Sequence, residues 1–182
     1  HRHPAPAFAD ATPIEQRVTQ EQRYRALLEL LFGAGTGGLA CGLQPEDWQA
    51  LMPVIREHRL EPILHWQLQQ PGRESPVLPG DYKTQLATAF KRSTRRGLRL
   101  QAELVRVHRL LTEDGIPYAA LKGAFVAFAA YPHCAMRPMR DLDILVPEKD
   151  ALRAFALLQR EGGYGRSANA LGVPESVMQI AK

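Results

Sequence analysis

The stretch "MRPMRDLDILVP", residues 136–147, carries two aspartates one residue apart, Asp141 and Asp143, inside an otherwise apolar run. Strand side chains alternate faces, so Asp141, Asp143 and Leu145 would share one face and Leu142, Ile144 and Val146 the other. Like charges at about 7 Å repel unless a cation lies between them. A divalent metal fits, and magnesium prefers carboxylate oxygens while leaving positions for substrate phosphates. Arg137 and Arg140 offer the alternative, a structural salt-bridge cluster with no metal.

A second feature lies upstream. Gly123 stands eighteen residues before Asp141, after a short apolar strand pattern and at the start of a helical one. There a backbone can approach an anion closely and free amides point at it. Lys122 adds a positive charge beside it. Amides for phosphates, followed by carboxylates for metal, are the parts needed to hold a nucleoside triphosphate.

The elements that must position these groups are readable from periodicity. Residues 13–32 read as a helix capped by Thr12 and ended by Gly33, and the glycine-rich stretch after it as a linker. Residues 45–59 read as a helix that Pro53 should kink or split, and 61–69 as a short helix. Its His65 and Trp66 read as packing residues. Residues 80–113 form the longest periodic stretch. Leu86, Phe90, Ser93, Gly97, Leu100, Leu104, Val107 and Leu111 make one buried stripe. Strand, helix, strand, helix then follow over 117–160, with the second strand over 140–146 and the last helix closed by Gly162 or Gly163. Residues 176–182 give weak signals that fit either the start of a helix or fraying.

The long helix is basic. Between 91 and 109 it holds Lys91, Arg92, Arg95, Arg96, Arg99, Arg106 and Arg109 against Glu103, a local +6 that exceeds the +4 of the whole 182-residue chain. Nucleic acid is a possible partner for this surface; a merely solvated face is the simpler reading. No aromatic residues interleave with the arginines, so nothing supports a base-stacking platform.

Composition sets wider limits. The chain is 45% hydrophobic and 23% charged, which suits one globular domain with or without a small appendage. Two distant cysteines favour a reducing compartment, the cytoplasm, over a disulfide framework. His133 and Cys134 are adjacent, a poor spacing for a shared zinc. No apolar run is long enough for a membrane helix, so no membrane partner is expected.

The combination of Leu121-Lys122-Gly123, Tyr131-Pro132 and Arg137-Pro138-Met139-Arg140-Asp141-Leu142-Asp143-Ile144-Leu145-Val146 resembles a bacterial nucleotidyltransferase family within the superfamily that includes DNA polymerase β. Gly163-Tyr164 also fits, and the resemblance covers roughly 45–165. It implies an α+β fold: a flexible lead over 1–12, a helical region over 13–114, and a polymerase-β-like core of mixed sheet and flanking helices over 115–182. It implies transfer of a nucleoside monophosphate from a triphosphate such as ATP, releasing pyrophosphate. The acceptor is open: a small molecule, a peptide, a protein or an RNA. By this resemblance Asp141 and Asp143 are catalytic and bind two Mg2+ ions, while Lys122, Gly123, Arg137 and Arg140 contact substrate. The alternative is a non-catalytic module with a degenerate form of this fold, binding nucleotide or nucleic acid.

Two departures stand out. Ala124 replaces the serine usual after the glycine. A third carboxylate, expected from a later strand, has only Glu148, Asp150, Glu161 and Glu175 as candidates, none in a clear strand. A truncated core is therefore expected.

Overall fold

The computed structural model describes residues 18–32, 38–71, 76–166 and 180–181. Helix α1 spans Gln20–Phe32. Its start is held by a reciprocal pair of bonds: Gln22 N–H donates to Thr19 Oγ1 at 3.3 Å, and Thr19 N–H donates to Gln22 Oε1 at 2.8 Å. Thr12, Pro13 and Gly33, expected to bound this helix, lie outside the described residues.

Helix α2 (Pro45–Glu57) runs through Pro53 without a break, contrary to the kink or split expected from sequence. Pro53 and Gln49 are both exposed, so water reaches the carbonyl that loses its donor. Asp47 works at the other end. It is buried, accepts from Gln44 N–H at 2.9 Å, and takes the Arg23 guanidinium at 2.7 Å. That one carboxylate caps α2 and ties it to α1.

Helix α3 (Glu61–Leu68) packs beside helix α4 (Gly80–Glu113), whose bounds match the periodic stretch read from sequence. Gly115, at φ +67°, lets Ile116 N–H reach back to the Leu111 carbonyl at 2.8 Å and ends α4.

Helix α4 serves two cores. Near its start, Leu86 joins residues of α1, α2 and α3, including the fully buried Trp48, Leu51, Met52, Ile55 and Leu64. Near its end, Val107 and Leu111 meet Ile116 and the inner face of helix α6 (Ala151–Arg160): Ala154, Leu157 and Leu158. Tyr118, Ile144, Val146 and Tyr164 cover that second cluster.

The strands are short. β1 (Ala119–Leu121) pairs antiparallel with β2 (Asp143–Leu145), and helix α5 (Lys122–Ala129) lies between them in the chain. β3 (Gly165–Arg166) pairs antiparallel with β4 (Ile180–Ala181), so residues 180–181 are strand, where the sequence offered either the start of a helix or fraying. The fold is α+β. Its described strand pairs are antiparallel, where a mixed sheet was expected.

Candidate active site

β1 is only three residues long and passes at once into α5. It therefore offers β2 three partners: Ala119 opposite Leu145, Ala120 opposite Ile144, and Leu121 opposite Asp143. The strand expected over 140–146 is cut to 143–145 for that reason, because Asp141 has no backbone opposite it. Asp143 is half-buried on the strand; Asp141 is exposed and precedes it.

The register brings the start of α5 to Asp143. Lys122 Nζ lies 3.0 Å from Asp143 Oδ2. Lys122 itself sits at φ +48°, in the left-handed region that a lysine seldom occupies. Such conformations persist where surroundings hold them. Leu121, extended, is the residue before the helix, and its apolar side chain cannot cap the amides of the first turn. Carboxylate, ammonium and free amides thus meet at one corner.

Gly123 follows as the second residue of α5. A Cβ there would stand 3.4 Å from Met139 Cγ and 3.5 Å from its Sδ, ordinary contact. The missing side chain would face buried Met139 of the loop that leads to the aspartates. Ala124 is buried, so the position of the usual serine points into packing in this chain.

That loop is anchored from the helical side. After Tyr131, a single turn of 3-10 helix spans Cys134–Met136. His133 Nδ1 accepts from Ala135 N–H at 3.1 Å, and Ser93 Oγ of α4 donates to the Ala135 carbonyl at 2.8 Å. The His133 ring lies 5.4 Å from Trp66 and 5.0 Å from Phe90, with His65 also 5.0 Å from Phe90. Burial, and after it the neighbouring Lys91 charge, holds the His65 imidazole below its usual pKa. Gly97 lets Cys134 approach: a Cβ on Gly97 would come 2.9 Å from Cys134 Sγ and 3.2 Å from its Cβ. Met136 and Met139 are buried on either side of exposed Arg137. Arg137 and Arg140 form no ion pair with the aspartates; among the described residues, Lys122 takes that place at Asp143.

Of the residues expected at the site, Lys122, Gly123 and Asp143 meet around the β1–α5 turn. Asp141, Arg137 and Arg140 are exposed on the approach to β2. Glu148 and Asp150 sit in the turn that opens α6, and Glu161 at its end pairs with Arg160 at 2.7 Å. Glu175 lies outside the described residues. Among those described, no three His, Cys, Asp or Glu side chains cluster as a metal site.

The positioning role of Trp66, Phe90 and His133 has no local sequence signal, because these residues are far apart in the chain. Ser93 and Gly97 do carry one. A hydroxyl and a glycine in an otherwise bulky buried stripe mark a place where another backbone comes close.

The profile of a family described as "Uncharacterised nucleotidyltransferase" matches residues 44–172, more than two thirds of the chain. The chain belongs to this nucleotidyltransferase family. The match takes in α2, α3, α4, both strands of the candidate site and α6, so helical support and site fall within one family unit. No curated protein and no solved structure matches the chain. Nucleotidyl transfer is the general activity that membership supports, with a nucleotide as substrate. No helix among the described residues is long and apolar enough to cross a membrane, and Cys41 and Cys134 are not joined in a disulfide.

Proposed function

We propose that this chain transfers a nucleoside monophosphate from a nucleoside triphosphate to an acceptor, with Asp143 and Asp141 holding magnesium against the phosphates. The observation that carries this reading is the Leu121–Asp143 register. It sets a half-exposed carboxylate against the uncapped first turn of α5, 3.0 Å from Lys122 Nζ. The donor set fits magnesium, which is commonly held by one or two carboxylates with substrate phosphates and water completing its shell. When bound, the ion would neutralise phosphate charge as it develops.

The chain's own groups supply the rest. The first amides of α5 would face a bound phosphate, which the helix dipole favours. Gly123, the second residue of α5, turns its Cα towards buried Met139 and offers its backbone N–H among those amides. Lys122 compensates Asp143 and stands beside the phosphate approach. Arg137 and Arg140, exposed on the adjoining loop, would meet further phosphate oxygens. In the reaction an acceptor hydroxyl or amine attacks the α-phosphorus. The bond to the β-phosphate oxygen breaks, pyrophosphate leaves, and the acceptor gives up its proton. The described residues contain no third carboxylate beside the pair, so we assign that proton to none of them.

Calorimetric titration of magnesium and a nucleoside triphosphate into wild-type protein and Asp143→Asn tests this reading. Magnesium-dependent binding should be lost in the variant; equal affinity in both removes the metal-ligand role. A non-catalytic nucleotide-binding module is the second reading, favoured by buried Ala124 in place of the usual serine. It predicts binding without pyrophosphate release.

A further inference from the structure

The basic face of α4 is not used by the site just described. Lys91, Arg92, Arg95, Arg96, Arg99 and Arg109 are all exposed, and none makes an ion pair among the described residues. Arg106 is spent differently: it donates to the Glu161 carbonyl at 3.0 Å and lies over the Tyr164 ring. Glu103, the one acid in this stretch, accepts from the Tyr164 hydroxyl.

At 3.6 residues per turn, the six free cations fall within an arc of about 140°. At 1.5 Å per residue, they extend along about 27 Å of helix. The buried face lies on the other side, with Leu86, Ala89, Gly97, Val107 and Leu111. So the stripe is one-sided and solvent-facing, dense over residues 91–99, with Arg109 ten residues further along the same face. Lys91 with Arg95, Arg92 with Arg96, and Arg95 with Arg99 are like-charge pairs four apart, each of which works against the helix. A solvated surface helix would ordinarily interleave acids among them.

We infer that this stripe binds the phosphate backbone of a duplex or folded nucleic acid. Five of the six cations are arginines, whose forked donors match phosphate oxygens. No aromatic side chain stands among them, so single-strand base stacking is not what the surface offers. Two large apolar side chains of α4, Leu98 and Val105, are exposed, so there is little for a membrane to take up. A linear row of cations on a rigid rod suits a repeating polyanion better than a compact acidic protein.

The test is independent of nucleotidyl transfer and uses the full chain. Fluorescence anisotropy follows a labelled twenty-base-pair RNA or DNA duplex across a salt series. Five phosphate contacts give a log–log slope near −4.5, or about 500-fold weaker binding at 200 mM than at 50 mM salt. Arg95→Gln with Arg99→Gln should make the slope shallower by about 2 and weaken binding at 100 mM salt at least tenfold. Lys91→Gln with Arg92→Gln, on the adjoining turn, should act the same way. Circular dichroism confirms that each variant is folded. Absence of binding at 50 mM salt, or unchanged binding by both variants, overturns the proposal. So does equal affinity for polyglutamate, or tighter binding to phosphatidylserine vesicles.

Discussion

Gly97→Ala adds one methyl group where the loop before the aspartates crosses α4. Two effects oppose each other. Alanine is favoured over glycine inside a helix by about 1 kcal/mol. Against that, the new Cβ would sit 2.9 Å from Cys134 Sγ and 3.2 Å from Cys134 Cβ, with the Cys134 carbonyl oxygen at 3.5 Å. The sulfur can rotate away, but the Cβ is fixed to a backbone that Ser93 and His133 hold in place. Overpacking of this kind costs about 1–3 kcal/mol. Taking about 2 for the clash leaves a net loss of about 1 kcal/mol, which lowers Tm by about 2–4 °C in a chain this size. Cys134→Ala removes the nearer atom. The double variant should therefore recover stability, with a coupling of about 0.5–1 kcal/mol in a denaturant-unfolding cycle. Strict additivity, or a Gly97→Ala protein more stable than wild type by the full helix-propensity gain, would refute the close approach. Nucleotide affinity should fall in Gly97→Ala alone, since the displaced loop carries Arg137 towards Asp141.

Four further outcomes follow from the geometry. Asp47→Ala strips a cap and leaves Arg23 without its buried partner, so urea unfolding should show a loss of about 2–3 kcal/mol. Gly162→Ala should cost about 2–3 kcal/mol in the same assay, because a Cβ there would overlap the Leu158 carbonyl oxygen and the Tyr164 ring. The Tyr164 hydroxyl is pushed up to about 12 by burial and by its hydrogen bond to Glu103. Its folded pKa is raised, so this contribution is full below about pH 10 and is lost as pH rises towards 12; Tyr164→Phe should abolish that part of the pH dependence of the urea midpoint. His65, held below its usual value, contributes stability above about pH 6.5 that falls away as pH drops, and His65→Gln should flatten that limb.

The legible parts of the fold are those fixed by local pattern. α4 could be bounded from sequence because its stripe of buried residues is long and a proline before it and Asp114-Gly115 after it are strong stops. β2 could not be bounded, since its length is set by β1, a partner more than twenty residues away that turns into helix after three residues. Pro53 misled because a helix tolerates proline where the abandoned carbonyl faces water. At the site, Lys122, Gly123 and Asp143 were visible as types, but the ion pair between the first and last depends on register. Nothing in the sequence marks Lys122 rather than Gly123 as the residue at positive φ.

The sharing of α4 between two cores has a kinetic side. Contacts within α4 and between the neighbouring α2 and α3 are local in sequence and close small loops, so they can form early. The turn at Cys134–Met136 can dock only on a helix that already presents Ser93, Phe90 and Gly97, and β2 pairs with β1 across the intervening α5. The aspartate strand is therefore expected to be the last piece in and the first to open. Native-state hydrogen exchange should find its amides exchanging ahead of those in the middle of α4.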